Sequence, residues 1–275
     1  VLACAIIAII GYLCVKGYSV LNARLIFGDT NILDALLLKK QVFNGLFPAM
    51  GGTLALVVTS VAWAIPVGIA TGIYLAEYAG TAVKNVFNLF FDILAGIPSI
   101  VIGLFGFALA VFLHKNVSKT IQPCLLISSI ALAFLVLPYL IRTTQVAIEG
   151  LPEEVRLTAL ALGATKLQNI FYVLLPKSLS GIMSGVILAI GRCAEDTAVI
   201  MLTGVVATAG IPKSLLANYE ALPFYIYYIS SQYTTPEELL TGYGASIILL
   251  IICIVLFSTA FLIKRQLTYM AFYRT

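Results

Sequence analysis

Leu188-Ala-Ile-Gly-Arg-Cys-Ala-Glu-Asp-Thr-Ala-Val-Ile-Met-Leu202 is apolar at both ends and carries Arg192, Glu195 and Asp196 in its middle. A charge at the centre of a bilayer costs about 2.5–3.5 kcal/mol on insertion scales. Three charges in one hydrophobic segment therefore need partners or a polar path. On a continuous helix, positions three and four apart share a face, so Glu195 and Asp196 both come within reach of Arg192. The stretch reads as the lining of a path through a membrane rather than as a lipid-facing anchor. A buried ion pair that only locks helices together is the competing reading.

The rest of the chain fits that setting. Of 275 residues, 61% are hydrophobic and 10% charged, and the mean hydropathy is +1.06. Soluble domains carry about 25% charged residues, so an integral membrane protein is expected. A net charge of +4 gives no ground for a nucleic-acid partner. Cys4, Cys14, Cys124, Cys193 and Cys253 lie in or beside apolar segments, with no CxxC and no metal-ligand spacing. Neither a disulfide framework nor a metal site is expected from them; each reads as a small hydrophobe. His114, in a short polar connection, reads as incidental. The chain opens at Val1 without methionine and its first apolar run is short for a span, so a preceding N-terminal piece is expected. No small-residue cleavage pattern follows that run.

A membrane-crossing helix needs about 20 apolar residues. Six runs qualify: 1–15, 47–75, 87–113, 122–141, 180–208 and 243–263. The expected fold is all-α, a polytopic membrane protein with six transmembrane helices, residues 1–275 forming one domain. Pro66, Pro98 and Pro138 fall inside runs and read as kinks whose freed carbonyls are satisfied by neighbouring helices. Gly68 and Gly72 form one small-residue pair, and Gly181, Gly185, Ala189 and Cys193 form a stripe. Small residues at this spacing let backbones approach closely. Helix packing accounts for the stripe, and it turns Arg192 and Asp196 toward protein rather than lipid. Arg142, Lys264 and Arg265 abut span ends, which places their side, and both termini, in the cytoplasm.

The connection 150–176 on that side has its own pattern. Pro152 suits a first helical position, and Glu153 and Glu154 suit the positive end of the helix dipole. Gly163 suits a helix C-terminus. Thr165 with Gln168 forms a capping box for a second helix. That helix sets Leu167, Ile170, Phe171 and Leu174 on one face, and Pro176 is expected to end it. Two short amphipathic helices joined at a glycine make either an interfacial connector or a docking element for a soluble partner.

The run from Gly163 to Val173-Leu-Leu-Pro176 resembles the glycine-to-Leu-Pro half of the EAA signature of ABC-importer permease subunits. In that family the loop forms a coupling helix seated in a groove of the cytoplasmic ATPase. The resemblance implies ATPase contacts at Ala159, Gly163, Leu167, Ile170, Phe171 and Pro176. Leu157 and Thr158 stand where the signature has glutamate and its first alanine; Ala159 agrees with it. Gly68-Ile-Ala-Thr-Gly-Ile-Tyr-Leu-Ala-Glu-Tyr78, the run from Asp92 to Phe105, and Arg142-Thr-Thr144 resemble permeases of the phosphate-specific importer. Ala221-Leu-Pro-Phe-Tyr225 and the basic end after the last span are similar to the A-type (PstA) branch rather than the C-type. That family has Arg, three residues ending in glycine, then Glu-Thr-Ala-Pro. Here Glu195 replaces that glycine, Asp196 the glutamate and Val199 the proline, and either carboxylate can take the acidic role.

The resemblance implies a type I ABC-importer permease (MetI-like) fold in the cell membrane. It further implies an ATP-binding ABC subunit, a second permease subunit in a heterodimer, and an extracytoplasmic phosphate-binding protein as partners. The chain would be no enzyme and bind no cofactor, the ATP sitting on the partner ATPase. The sequence has no GxxxxGK[ST] run to cradle nucleotide phosphates. Phosphate carries about −1.5 charges at neutral pH, and arginine's planar fork of donors suits its oxygens. Arg192 is the first candidate contact and Arg142 the second. Glu195 and Asp196 would hold the arginine between anions and accept the proton of hydrogenphosphate. Asp92 would line the path or cap a kink near Pro98. A permease for sulfate or molybdate is the alternative. A secondary transporter or channel is another, but its usual inverted repeats with broken helices are not evident.

Overall fold

The computed structural model describes residues 2–28, 30 and 45–273. Those residues are helical throughout, apart from turns, connections and one isolated bridge between Val205 and Tyr219. Val1, at the head of the first apolar run, lies outside them. In order the helices are α1 (Leu2–Gly17), α2 (Ala23–Phe27), α3 (Phe47–Glu77), α4 (Thr81–Ala95), α5 (Ser99–Asn116) and α6 (Leu125–Glu149). Then come α7 (Glu153–Ala161), α8 (Lys166–Asn169), α9 (Leu175–Glu195), α10 (Ala198–Thr203), α11 (Leu222–Gln232) and α12 (Pro236–Tyr273). Among the described residues, six helical segments are long and apolar enough to cross a membrane: Leu2–Val20, Phe47–Glu77, Ser99–Asn116, Leu125–Glu149, Lys166–Glu195 and Pro236–Met270. The all-α, six-span reading holds.

Three expectations about the runs are corrected. Pro66 and Pro138 lie inside continuous helices, but the run 87–113 is broken at Gly96-Ile97-Pro98 into α4 and α5. Pro98 disfavours helical backbone at Ile97, and Gly96 beside it removes any propensity to resist. The run 180–208 is likewise two helices, since α9 stops at Glu195 and α10 begins at Ala198. Pro176 ends nothing: it sits in the first turn of α9, after a π-helical turn over Ile170–Leu174. Proline lacks an N–H, and in a regular helix its ring would strike the carbonyl four residues back, that of Tyr172. The wide turn, in which Leu175 N–H reaches Ile170 O, opens the backbone just before it.

The chain divides into two compact units. The first comprises residues up to Ser60, Ser99–Leu132 and Ala194–Ile254. Within it, the connection after α10 is folded onto the start of α3. Val206 N–H donates to Tyr219 O at 3.0 Å, and Tyr219 is fully buried. Glu220 Oε1 accepts from Ala209 N–H at 2.8 Å and Gly210 N–H at 2.7 Å. Thr53 Oγ1 on α3 accepts from Leu222 N–H at 2.9 Å. Gly52 makes this contact possible, because a Cβ there would lie 1.9 Å from Glu220 O. Burial pushes the Glu220 carboxyl above its usual range despite its two N–H donors, and pushes the Tyr219 phenol up as well.

The second unit comprises Val61–Pro98, Ala133–Cys193 and the chain from Val255 on. There α6 is the central element. Gly68 and Gly72 of α3 meet Leu140 and Thr144, at 2.7 and 2.6 Å from where a Cβ would sit. On α9, Gly181 and Gly185 meet Ala147 and Thr143 in the same way. Both small-residue patterns therefore serve close helix approach. Ile170 and Leu174 pack with Ala76 and Ile148 into a buried cluster, flanked by Ile73, Leu151 and Leu175.

Candidate functional site

Arg192 lies in the last turn of α9 rather than mid-helix. It is half-buried, and a cation there complements the negative end of the helix dipole. Cys193 and Ala189 on the same helix are almost fully buried, so this end of α9 is packed into protein. Glu195 closes the helix and is exposed. Asp196 is 5% exposed, and its Oδ1 accepts from Val199 N–H at 2.9 Å. It therefore caps the first turn of α10, the role short acidic side chains favour at a helix start. The expectation of one continuous helix through both carboxylates is corrected: Glu195 ends α9 three residues after Arg192, while Asp196 lies in the break and serves the backbone of the next element.

Arg142 sits on α6 and is exposed. Its Nη1 lies 3.5 Å from Gln145 Oε1, whose Nε2 donates to Glu149 Oε1 at 2.9 Å. Lys84 of α4 pairs with the same Glu149 oxygen at 2.7 Å. Arg142 also lines a groove of about 290 Å3 with Thr143, Val146, Ala147 and Gly181. Asp92 is on the exposed face of α4, one turn before the break at Gly96. As α4 and α5 are separate helices, it caps no kink within a span.

The connection between α6 and α9 forms as its punctuation predicts. Pro152 is the N-cap rather than the first helical residue, and α7 opens on Glu153. Gly163 takes φ +84°, with its N–H on Leu160 O at 3.0 Å and Ala164 N–H on Ala159 O at 3.0 Å. These two bonds make a Schellman ending. Thr165 and Gln168 form the complete capping box of α8. Of the six coupling positions, Leu167 and Phe171 are 60% and 62% exposed. Ala159 is half-buried and Gly163 exposed. Ile170 is corrected: at 2% exposed it belongs to the chain's own core. Pro176 is half-buried inside α9.

Sequence reasoning missed the residues that hold this loop. Arg156 of α7 donates to Glu77 Oε1 from Nη2 at 2.7 Å and from Nε at 3.2 Å. Lys166 Nζ donates to Glu77 O and stands 4.5 Å from the centre of the Tyr78 ring. Asn169 Nδ2 donates to Arg156 O at 2.8 Å. The only signal was a charge at the end of each element; nothing in the sequence pairs position 77 with position 156.

Comparison with known proteins gives this arrangement a family. Residues 68–268 match the family described as binding-protein-dependent transport system inner membrane component. The chain is 33% identical over 231 residues to the phosphate transport system permease protein PstA of Mycobacterium leprae, covering 81% of this chain and 72% of that protein. It is 32% identical over 218 residues to phosphate transport system permease protein PstA 1 of Mycobacterium tuberculosis, covering 78% and 69%. The PstA protein of Haemophilus influenzae is 31% identical over 220 residues, covering 79% and 76%. In fold, the chain is similar to a chain of the MetNI methionine ABC transporter in inward-facing conformations, with a TM-score of 0.59 and 19% identity over 87% of this chain and all of that one. On these matches the chain belongs to the binding-protein-dependent transport system inner membrane component family, as a multi-pass membrane permease.

Proposed function

We propose that the chain is the membrane-spanning permease subunit of an ATP-driven ABC importer that carries inorganic phosphate into the cytoplasm. The observation that carries this reading is the extent of the likeness: proteins named as phosphate transport permeases match over about four-fifths of the chain. The chain acts as one permease domain and is not itself an enzyme. ATP is hydrolysed by an ABC subunit docked on the loop 150–176. A second permease completes a heterodimer, and an extracytoplasmic binding protein delivers phosphate. Both termini are cytoplasmic.

Arg192 meets the anion, because guanidinium offers paired donors to phosphate oxygens and stays charged when desolvated. Asp196 fixes the helix break that ends α9 beside it in sequence. Glu195 accepts the proton carried by hydrogenphosphate. Arg142, with its groove on the cytoplasmic side, attracts the anion toward release. The test is uptake into proteoliposomes holding the complete complex and internal or external ATP on the ATPase side. Phosphate should be taken up and should not be displaced by excess sulfate or molybdate. Uptake of sulfate or molybdate in place of phosphate would overturn the assignment.

A further inference from the structure

A loop that receives an ATPase must be joined to the helices that line the transport path. Resting on the reading of the chain as an ATP-coupled permease, we infer that Glu77 is a second join, beside the unbroken helical segment Lys166–Glu195 that leads into α9: it fastens the docking loop to the end of α3 and makes loop displacement reach α3 and α6 as well. Glu77 closes α3, and its side chain is only 9% exposed. Its carboxylate holds Arg156, and hence α7, through two donors. Its carbonyl, one of the last four left without an intrahelical partner, holds Lys166 and hence α8. One residue therefore grips both helices of the loop, and the Asn169–Arg156 bond ties them to each other.

The apolar cluster beneath, Ile170 and Leu174 on Ala76 and Ile148, also holds the loop. Apolar contact is non-directional, however, and permits sliding. A charge-assisted hydrogen bond to a desolvated carboxylate is directional and stronger than an exposed ion pair. Beyond Glu77, α3 meets α6 at Gly72 and Gly68, where backbone and side chain touch with no room for a Cβ. A shift at the end of α3 is thus passed to α6, the helix that carries Arg142. Glu77 is a positioning residue: it touches no substrate and acts through Arg156 and Lys166.

The experiment compares Glu77→Gln, Arg156→Gln and the double variant in the complete complex in proteoliposomes, with ATP hydrolysis and phosphate uptake read in the same vesicles. Each single variant should raise ATP hydrolysed per phosphate moved by about fivefold or more, the lower end for a lost coupling between sites. The double variant should match the singles rather than multiply them, as for residues acting as one unit. Arg156→Lys, which keeps the charge, should restore part of the ratio. Unchanged ratios in the singles, or a double variant equal to the product of the two, overturns the inference. If neither single variant assembles with the ATPase, the pair serves folding and the inference also falls. Amide exchange over 166–174 in Glu77→Gln needs no substrate. It should be about tenfold faster, as for a segment released from its neighbour, and unchanged exchange overturns the inference whatever ion is carried. Absence of uptake by the wild-type complex would instead refute phosphate as substrate and leave the exchange measurement to decide this point.

Discussion

Ile170 and Phe171 are adjacent in the π turn, yet one is 2% exposed and the other 62%. Truncating each to alanine should therefore damage different things. Ile170→Ala removes a side chain packed on Ala76, Ile148 and Leu174, and such a cavity costs about 2–5 kcal/mol of fold stability. Phe171→Ala leaves that cluster intact, and a surface change of this kind stays within about 0.5 kcal/mol. Its cost falls on docking. With 62% exposed, and a phenylalanine able to bury about 150–250 Å2, roughly 90–155 Å2 is open to a partner, or about 2–4 kcal/mol of burial. Losing half of that weakens ATPase binding by about tenfold. The assay is titration of the ATPase subunit onto the purified permease pair in nanodiscs, beside a thermal melt of the same sample. Phe171→Ala should lower affinity with an unchanged melt. Ile170→Ala should lower the melting temperature first. If Phe171→Ala binds the ATPase as tightly as wild type, or melts as early as Ile170→Ala, the division of the loop into a buried and a docking face is wrong.

Arg192→Gln should assemble normally and lose phosphate uptake, while Arg192→Lys retains part of it because the charge stays and the fork is lost; wild-type uptake by Arg192→Gln removes the arginine from the path, and failure to assemble makes it a structural residue. Glu220 has its pKa raised by burial above its ordinary value, so the folded protein holds that proton more tightly than the unfolded chain. Its stabilising effect is full at pH below the ordinary value and is lost as pH rises through the folded pKa. Amide exchange over 205–221 should therefore quicken across that rise, and Glu220→Gln, which keeps an acceptor for Ala209 and Gly210, should flatten the dependence. Gly52→Ala would force a Cβ to 1.9 Å from Glu220 O and should destabilise the unit by about 1–3 kcal/mol, read as a lower melting temperature. Cysteine at Lys166 should react with an impermeant thiol reagent from the cytoplasmic face alone, and cysteine at Lys213 from the opposite face; the reverse labelling would invert the topology.

The spans were legible because about 20 consecutive apolar residues have few other uses. The docking loop was legible because Thr165, Gln168 and Gly163 carry local chemistry that specifies caps without help from the rest of the fold. The breaks were not. Pro66, Pro98 and Pro138 look alike in an apolar run, yet only Pro98 ends a helix, with Gly96 two residues before it. Asp196 reads as a charge in a span, and its capping of Val199 N–H emerges only when the backbone turns. Ile170 and Phe171 are equivalent by hydrophobicity and by α-helical spacing. What separates them is a π turn, signalled in the sequence only by Pro176 just after it, and a core supplied by α3 and α6. The Glu77–Arg156 pair is likewise invisible, because its partners lie 79 positions apart and meet only through tertiary packing.

The π turn has a consequence for the angular phase between docking loop and membrane helix. Successive residues of an α-helix are about 100° apart around the axis, and a five-residue closure from Leu175 to Ile170 puts one more residue into the turn than the α form holds. The small-residue stripe of α9 is clocked to α6 by Gly181 and Gly185, while Phe171 is clocked by the residues before the turn. Deleting one residue between Phe171 and Pro176 would restore a regular helix and keep every side chain in both parts. Because the wide turn spends five residues on the rotation that four α-helical residues supply at about 100° each, the deletion would leave the docking face in phase with the stripe, and what it would take away is the room in which the ring of Pro176 avoids the carbonyl one turn back.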